Sequence, residues 1–473
     1  MQGRARSVDT PYPRDRLLLI DSTVMWKGQL TGQVSAISIV LALSIAATSA
    51  VTETGTLLTG KDAMGDWTKD APGVRRKITV QDLPAPSSNA LAINFARVAR
   101  RPADARLQVP PGFRIDPYAD GFRDPRFLLT APNGDIFVVE SRGANRIKVL
   151  RDTKGSRKPD LVETFATQGL NKPFGIAFYP PGNNPQFLYD ANTDGVIRFP
   201  YQVGDLKARG PAQQLAAHLS PGGLLRGGGH WTRDIIFSAD GKKMYVTIGS
   251  RSNVSDNGAE ADRARIFEFN PDGSGQRVYA SGIRNAVGIA FHPASNELWM
   301  STNERDEIGE NLPPDYISSV KPGGFYGWPW FYIGNHPDPR HKGKHPELAA
   351  KVIVPDVLVE AHSATLNLCF YTGDQFPSDY KGDAFAAFHG SWNRTKRTGY
   401  KVVRVPFDHS TGKARGEYED FVTGFVTPEG KVWGRPVGIT VAKDGSLLIS
   451  EDANGTIWRV SYGRKEQSAF VAY

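Results

Sequence analysis

The chain has 473 residues, of which 40% are hydrophobic and 22% are charged, a composition typical of soluble globular proteins. The 49 glycines and 33 prolines argue against long helices and coiled coils, because both residues interrupt helices. The single cysteine, Cys369, excludes a disulfide framework, a zinc site built from cysteines and a covalently attached c-type haem. The net charge of +8 is spread without a basic run, so nucleic acid is not an expected partner.

One long apolar run, residues 35–51, follows Lys27 and closes with small residues near Ala50. This pattern predicts a secretory signal that is cleaved near Ala50. An uncleaved membrane anchor is the alternative, because about 17 apolar residues is near the minimum length for spanning a bilayer. In either case we expect the domain to work outside the cytoplasm, in the periplasm, and the anchor would hold it at the inner membrane.

Beyond about Val109 the sequence consists of short apolar runs separated by turn signals, and these runs repeat. Six copies align on the residue that ends the first run of each unit, at intervals of 48 to 79 residues: Thr130, Phe178, Phe237, Phe291, Phe370 and Val441. Repeats of this length with several strands per unit are typical of propeller blades, the longer ones carrying insertions. The sequence therefore predicts an all-β, six-bladed β-propeller. An array of β-sandwiches is the alternative.

The predicted domain organisation has four parts. Residues 1–50 form the signal or anchor region, and residues 51–112, which are polar and aperiodic, form an N-terminal extension and linker. Residues 113–462 form the propeller, whose first segment near Phe113 is expected to pair with the last blade and close the ring. Residues 463–473 form a C-terminal tail.

Loops that interrupt the repeat are the candidate functional segments, because propellers bind ligands around their central axis. The loop Arg226–Arg233 contains three glycines and His230, which can accept a proton at neutral pH. The loop Ser281–Asn285 ends in Arg284 and Asn285, a pair suited to a polyanionic or carbonyl-rich ligand. The alternatives are a structural histidine in the first loop and an ion pair between blades in the second.

A third loop, Asn303–Asp315, holds five carboxylates in thirteen residues. Oxygen-rich loops of this kind suit calcium, although the spacing is not that of an EF-hand. A solvated acidic loop is the alternative. The segment Gly323–Pro329 follows and is interpreted as a rigid aromatic wall.

Two further loops add cations or potential cations. The loop Phe388–Arg394 follows a strand of the fifth blade and contains His389 and Arg394, and Arg435 leads into the sixth blade. Decoration of the surface is the alternative for either loop taken alone.

Other motifs are absent or carry no function. No Gly-x-Gly-x-x-Gly follows a strand, so a Rossmann nicotinamide site is not expected, and there is neither a Walker loop nor a Gly-x-Ser-x-Gly elbow. His336, His341 and His345 cluster in a proline-rich insertion, but their spacing fits no standard zinc motif, so we interpret them as solvated.

The ordered set of loops resembles the quinoprotein sugar dehydrogenases of the soluble glucose and aldose type, and looks closest to the sorbosone dehydrogenase branch. The resemblance covers about residues 113–462 and is carried by Gly228–His230, Gly282–Phe291, Gly324–Pro329 and Gly434–Gly438. Any one of these motifs is weak, whereas their order, one blade apart, is specific.

The resemblance implies pyrroloquinoline quinone (PQQ), a tricarboxylate, over the propeller axis, with calcium beneath it. His230 would be the general base that takes the hydroxyl proton while hydride passes to the quinone carbon. Arg284 and Asn285 would contact the cofactor near its reacting carbonyl. Arg435 would pair with a cofactor carboxylate, and His389 or Arg394 would fill the place of the family's cationic lysine.

This chain departs from the family pattern in three places. Ser250 stands where the family has an aspartate that orients the base. The family ligates calcium through backbone carbonyls of the loop Glu304–Asn311, and its Gly-Pro pair is replaced here by Asp306 and Glu307. The lysine of the fifth blade has no clear counterpart.

The resemblance implies oxidation of an aldose, or of an aldehyde sugar such as sorbosone, to the acid or lactone. Electrons would pass to a separate acceptor, a quinone or a cytochrome, because no Cys-x-x-Cys-His haem motif is present. Three alternatives remain: a metal-dependent propeller lactonase or hydrolase, a non-catalytic binding propeller, and a nicotinamide-dependent enzyme without the usual fingerprint.

Overall fold

The computed structural model describes residues 55–87, 92–221 and 229–463. The predicted signal or anchor region, the tail from residue 464 and the glycines at 227 and 228 of the first candidate loop lie outside these ranges. Within them, no helix combines the length and the apolar character needed to cross a bilayer. The helices of the described ranges are short 3-10 turns: Gly60–Ala63, Trp67–Lys69, Val80–Asp82, Gly258–Glu260, Pro346–Lys351 and Ser378–Tyr380.

Three strands precede the first complete blade: β1 (Leu57–Thr59), β2 (Arg75–Lys77) and β3 (Phe113–Ala119). Blade one contains β4 (Pro125–Thr130), β5 (Ile136–Glu140), β6 (Arg146–Arg151) and β7 (Leu161–Ala166). Blade two contains β8 (Ile176–Tyr179), β9 (Phe187–Asn192), β10 (Gly195–Pro200) and β11 (Gln213–His218). Blade three contains β12 (Ile235–Phe237), β13 (Met244–Ile248), β14 (Arg265–Phe269) and β15 (Arg277–Ser281).

The fourth and fifth blades carry insertions. Blade four contains β16 (Ala286–Phe291), β17 (Leu298–Thr302), β18 (Asp315–Ser319) and β22 (Val357–Val359), and between the last two lie β19 (Gly324–Phe325), β20 (Phe331–Tyr332) and β21 (His336–Pro337). Blade five contains β23 (Thr365–Phe370), β24 (Ala384–Phe388), β25 (Lys401–Val405) and β28 (Tyr418–Val422), interrupted by the hairpin β26 (Phe407–Asp408) and β27 (Lys413–Ala414). Blade six contains β29 (Pro436–Val441), β30 (Leu447–Glu451), β31 (Thr456–Tyr462) and β3.

The blades form a six-bladed propeller, which confirms the predicted all-β fold. The first strands of neighbouring blades contact one another and therefore lie innermost. Five of the six residues used to align the repeat end an innermost strand, and Phe178 lies one residue before the end of β8. Ring closure is also confirmed, because β3 pairs antiparallel with β31, with Phe113 opposite Tyr462.

The N-terminal extension differs from the predicted linker. Strand β2 pairs with β28 and β1 pairs with β2, so residues 57–77 extend the sheet of blade five at its outer edge. Further on, Ala99 donates to the carbonyl of Val432 at 2.8 Å, and Gln108 pairs with Thr423. Backbone hydrogen bonds, ion pairs and scattered apolar contacts, such as those of Ile78 and Leu107, hold this segment, and none of them produces the regular apolar periodicity by which strands are recognised in a sequence.

The hydrophobic core lies between blades. One cluster joins Phe137 and Phe165 of blade one to Phe174 and Leu188 of blade two, and its rings meet edge to face, with centroids of Phe137 and Phe165 5.2 Å apart. Such packing fixes each innermost strand against its neighbours. Because the first and second strands of a blade are antiparallel, the start of one and the end of the next lie at the same end of the axis.

Candidate active site

The candidate residues lie at this end of the axis, which we call the axial mouth. Arg284 and Asn285 immediately precede the innermost strand β16, and Arg435 immediately precedes β29. His389 follows the second strand of blade five, β24. The antiparallel register therefore brings together loops that are separated by up to 151 residues in the sequence.

His230 is held by the loop that follows β13. Its backbone N–H donates to the carbonyl of Ser250 at 2.9 Å, and its Nδ1 lies 2.9 Å from the same oxygen. A carbonyl oxygen only accepts, so Nδ1 carries the hydrogen and Nε2 keeps its lone pair. Burial, followed by the charge of Arg284, lowers the pKa of His230 to about 3, so the ring is neutral at pH 7 and its Nε2 lone pair is not protonated.

Two glycines allow this arrangement. A Cβ added to Gly249 would lie 2.1 Å from Oδ1 of Asn285 and 2.7 Å from Cβ of His230, so only a glycine lets these two side chains approach. Gly229 has a φ of +76°, and its missing side chain would meet the backbone of Arg251 at 2.3 Å. The glycine next to His230 therefore permits close packing of two loops.

Arg263, which the sequence analysis did not single out, fixes the same loops. Its guanidinium donates to the carbonyl of His230 at 2.5 Å and to that of Gly249 at 2.9 Å, and the side chain is buried. The Ser250 hydroxyl lies 3.1 Å from Nδ1 of His230 and donates to the carbonyl of Ser252. The carbonyl and hydroxyl of Ser250, both neutral, therefore contact the imidazole where the resemblance implies a carboxylate.

The guanidinium of Arg284 is almost fully engaged. It donates to the carbonyl of Glu304 at 2.6 Å, to Oδ1 of Asn253 at 3.1 Å and to Oδ2 of Asp306 at 3.0 Å. Asp306 belongs to the same blade, so the ion pair is not the contact between blades considered as an alternative. The neighbouring Asn285 is different, because its buried Oδ1 accepts no hydrogen bond from the described residues.

The sequence predicted calcium at Asp306 and Glu307. In the structure, the side chains and the backbone carbonyls of these two residues differ in their contacts. The carboxylate of Asp306 is paired with Arg284, and that of Glu307 lies 3.4 Å from Arg340. Residues 55–87, 92–221 and 229–463 contain no group of three or more His, Cys, Asp or Glu side chains arranged to hold a metal. The described chain therefore has no cluster of three or more such side chains that would favour calcium, and the calcium assignment to Asp306 and Glu307 stays a prediction.

The backbone carbonyls of the same two residues do fit an oxygen-liganded ion. The Asp306 carbonyl accepts one hydrogen bond, from Nδ2 of Asn253 at 3.0 Å, and a carbonyl has two lone pairs. Glu307 adopts a left-handed φ of +73° while its N–H donates to Oδ1 of Asn393 at 2.8 Å. No described residue donates to the Glu307 carbonyl. The loop can offer oxygen ligands of the kind that calcium accepts.

A second group of charged side chains, which we call the mouth cluster, lies around Asp452: Arg126, His389 and Arg435. Nε2 of His389 lies 3.0 and 3.1 Å from the two carboxylate oxygens, and Nε of Arg435 lies 2.8 Å from one of them. Arg126 donates to the other through a short hydrogen bond. Two guanidinium groups thus face one carboxylate, which leaves positive charge available for an anionic ligand.

Burial and charge set the protonation states in the mouth cluster. Burial lowers the pKa of His389 to about 4 even though Asp452 acts to raise it, so this ring is neutral at pH 7. Burial acts to raise the pKa of Asp452, but His389 and Arg126 act more strongly in the opposite direction. The pKa is therefore lowered, and this carboxylate is ionised. His389 therefore serves as a hydrogen-bond donor rather than as a permanent cation.

Trp231 connects the two parts of the site. It follows His230 in the sequence, and the guanidinium carbon of Arg126 lies 5.6 Å from its ring centroid. Arg394 lies apart from the mouth cluster: it is 5% exposed and donates to the carbonyl of Gly65 in the N-terminal extension at 2.9 Å. The structure thus assembles His389 and Arg435 with Arg126, and places Arg394 beneath the extension.

Arg126 and Asp452 were missed by sequence reasoning, although a signal for both exists. Arg126 lies four residues before the aligned Thr130 and so occupies the same end of its strand as Arg284 and Arg435 in their blades. Asp452 directly follows the second strand of its blade, as His389 does. A search for charged residues at this end of the first and second strands of each blade, and not only in the loops, finds both.

The fold and the loops of the axial mouth define a propeller of the sugar dehydrogenase type. The chain belongs to the TrAA12-like family, whose model matches residues 107–324 and 336–463. The resemblance to the PQQ-dependent sugar dehydrogenases is confirmed, while the sorbosone branch remains a prediction.

Among curated proteins, the chain is similar to a pyrroloquinoline quinone-dependent pyranose dehydrogenase of Coprinopsis cinerea, with 24% identity over 75% of this chain. It spans 54% of that protein, about half its length. It is also 32% identical to the aldose sugar dehydrogenase YliI of Escherichia coli, over 24% of this chain and 31% of that protein. An uncharacterised protein of Borreliella burgdorferi is 29% identical over 78% of this chain and 94% of its own length.

Solved structures show the same fold. The holo form of the pyranose dehydrogenase PQQ domain from Coprinopsis cinerea aligns with a TM-score of 0.63 and 21% identity, covering 77% of this chain and 98% of that domain. A calcium structure of the Trichoderma reesei carbohydrate-active enzyme of family AA12 aligns with a TM-score of 0.65 and 18% identity, covering 78% and 99%.

Proposed function

We propose that this protein is an exported, PQQ-dependent dehydrogenase that oxidises an aldose or an aldehyde sugar, such as sorbosone, to the corresponding lactone or acid. The observation that carries the proposal is the convergence, at one axial mouth, of a neutral histidine with a free lone pair and an unbalanced set of cations. A tricarboxylate cofactor requires such cations, and oxidation of a hydroxyl requires such a base.

The residues present fit the cofactor. Arg126 and Arg435 supply charged donors for its carboxylates, His389 holds Asp452 beside them, and the unpartnered Oδ1 of Asn285 is available as a buried acceptor. PQQ, when bound, supplies a quinone that accepts hydride from the sugar carbon. In the described chain no residue other than His230 combines a neutral ring, a fixed Nδ1–H and a place at the mouth beside Arg284.

The chain's own part in the reaction is to hold the sugar hydroxyl and to move its proton. Nε2 of His230 accepts that proton, and the Nδ1–H bond to Ser250 keeps the ring oriented while it does so. Arg284 adds positive charge next to the reacting groups without changing its own protonation. Calcium, bound through the carbonyls of Asp306 and Glu307, would add further positive charge at the same place.

Electron transfer and localisation complete the proposal. A quinone or a cytochrome would reoxidise the cofactor, since the chain has no haem-attachment motif of its own. Export rests on the apolar run of residues 35–51. Fractionation of cells that produce the full chain, with and without residues 1–50, separates a cleaved signal from an anchor: loss of residues 1–50 should leave the protein in the cytoplasm.

A lactonase is the alternative from a different enzyme class. It would require carboxylate and amide ligands that converge on the axis from several blades, whereas in the described ranges Asp306 and Asp452 are each paired with arginine. A binding propeller would not require the neutral base at His230. Both alternatives predict no oxidation of sugars.

The decisive experiment is reconstitution of the purified apo-protein with PQQ, with and without calcium, followed by an artificial-acceptor assay over a panel of sugars and aldehydes. We expect activity that requires PQQ, that is lost on chelation and that returns with calcium. Absence of PQQ binding and of dye reduction on every substrate would refute the function. Full activity after exhaustive chelation would refute only the calcium part.

A further inference from the structure

A cleft of about 690 Å³ lies between the N-terminal extension and the loops of blades five and six. Three distant chain segments line it, residues 67–70, 102–108 and 423–433, together with Tyr400. Its volume falls within the range of about 300–1,000 Å³ that is usual for small-molecule sites. The reaction residues do not line it, but Trp433 does, two residues before Arg435.

One aromatic ring of the cleft is available for stacking. Trp67 is only partly buried, whereas Tyr400, Phe425 and Trp433 are 2%, 0% and 1% exposed. A Cβ on Gly430 would lie 3.5 Å from the Trp67 ring, so the absence of a side chain there leaves the ring close to the loop that borders the cleft. A single exposed indole face suits a flat apolar surface such as one side of a pyranose ring.

The polar groups of the cleft are neutral donors and acceptors with a few charges at the rim. Asp104, Glu429 and Arg106 are exposed, and Gln108 is held beside Thr423 by two backbone hydrogen bonds of 3.0 and 3.1 Å. Thr423 is 2% exposed, and its buried hydroxyl has no hydrogen-bond partner in the described chain. The Thr423 hydroxyl therefore lies behind the surface of the cleft, and Gln108 is the exposed neutral side chain next to it.

The charge and shape of the cleft decide between ligand classes. A polyanion would meet two rim carboxylates, Asp104 and Glu429, against one arginine, Arg106, and the third carboxylate of the lining, Asp70, is already paired with buried cations. A quaternary ammonium ligand would require an aromatic cage, but only Trp67 presents a ring, and a polyamine would meet only the two exposed rim carboxylates. A neutral, hydroxyl-rich ligand can stack on Trp67 and hydrogen-bond with the exposed polar side chains of the cleft.

We propose that this cleft is a saccharide-binding site separate from the reaction site, in which Trp67 stacks on a pyranose ring and the Gln108 and Glu429 side chains bind its hydroxyls. The proposal does not rest on the PQQ-dependent activity, because none of these groups contacts the mouth cluster. A second saccharide site on the face of the axial mouth would hold a polymeric or oligomeric sugar near the enzyme.

Calorimetric titration of the PQQ-free protein with cellotetraose, maltotetraose and xylotetraose tests the proposal. We expect at least one of them to bind, and Trp67→Ala to weaken that binding about tenfold or more, the change that corresponds to about 1.4 kcal/mol. Glu429→Gln, an exposed position whose change leaves the fold intact, should weaken it by a smaller factor. Spermidine, tested in parallel as a cationic probe, should not bind.

Matched variants separate the cleft from other sites. Trp330→Ala removes a partly buried tryptophan that packs 4.1 Å from His345, outside the cleft, and should leave the affinity unchanged. His230→Ala should also bind the tetrasaccharide as the wild type does. Binding that Trp67→Ala and Glu429→Gln both retain, or loss on His230→Ala alone, would place the sugar in the reaction site and overturn the proposal. Absence of binding by the wild type, or binding of spermidine alone, would overturn it as well.

Discussion

The molecule contains two ionic clusters that use the same side-chain types in opposite proportions. The mouth cluster places Asp452 among Arg126, Arg435 and His389. The second, which we call the clasp cluster, joins the N-terminal extension to blades four and five and places two cations among three carboxylates: Arg76, Lys401, Asp70, Glu360 and Asp420. The first has more cations than carboxylates, the second more carboxylates than cations.

Exposure separates the two clusters further. The side chains of Arg435 and His389 are 24% and 19% exposed, so an anionic ligand can reach them. Lys401 and Arg76 are fully buried, and Nζ of Lys401 lies 2.7 to 2.9 Å from its three carboxylate partners. An open cluster with unbalanced cations suits binding, whereas a closed cluster with excess carboxylate holds two parts of the chain together. Neither role follows from residue type alone.

The largest expected effect is on the rate of the reaction at the axial mouth. His230→Ala should lower kcat by about 10²–10⁴-fold, the usual cost of losing a general base, and should leave PQQ affinity and the melting temperature nearly unchanged. Single-turnover dye reduction and PQQ titration of the same preparation measure both. Ser250→Ala is the matched control, because the Nδ1 bond to the Ser250 carbonyl survives and the rate should fall far less. A variant without His230 that keeps more than half of the wild-type kcat would remove the residue from the mechanism.

The next largest effect is on stability, at the clasp cluster. Lys401→Met leaves three buried carboxylates facing only Arg76, and breaking a buried ion pair on one side commonly costs about 3–5 kcal/mol. We expect a clear fall in melting temperature, with unchanged PQQ affinity in the protein that remains folded. Lys321→Met removes an exposed ion pair with Glu297, 2.7 Å long, and should change the melting temperature little. An equal fall in melting temperature for both substitutions would contradict the distinction between buried and exposed ion pairs.

Within the mouth, we expect Arg435 to contribute mainly to cofactor binding and Arg284 to contribute to both binding and stability. Arg435→Lys should weaken PQQ binding by roughly 10–150-fold, which corresponds to a loss of about 1.5–3 kcal/mol, with little change in apo-protein stability. Arg284 is 8% exposed and bonded to Glu304, Asn253 and Asp306, so Arg284→Lys should lower both the affinity and the melting temperature. PQQ titration and thermal denaturation of the two variants measure this difference. An unchanged affinity for both would exclude these arginines from the cofactor site.

The sequence predicts repeated structure well and scattered ionic structure poorly. Local patterns that recur from blade to blade predict the blade repeat and the ring closure at Phe113. They also predict the loop positions of His230, Arg284 and Arg435. Arg126 was missed because it lies within a strand and has no loop signature. The clasp cluster cannot be read locally at all, since Asp70 and Asp420 are 350 residues apart in the sequence and meet only in the folded protein.

The smallest expected effect is a pH dependence of the clasp cluster. Burial, with Asp420 and Glu360 nearby, raises the pKa of Asp70 from 3.8 to about 7, although Lys401 and Arg76 act to lower it. The folded protein therefore binds a proton that the unfolded chain has released above about pH 4, and the contribution of Asp70 to stability should fall as the pH rises from about 4 to 7. Asp70→Asn, which is neutral throughout, should lack this contribution, so its stability relative to the wild type should rise over this range in thermal denaturation at several pH values. The difference between the two proteins, not either profile alone, reports on Asp70, because other buried groups also titrate between the folded and unfolded states: Asp234, Glu304, Asp315, His230, His389 and, below pH 5, Glu360. An identical pH profile for wild type and Asp70→Asn would show that Asp70 is ionised in the folded protein and that the excess negative charge is real.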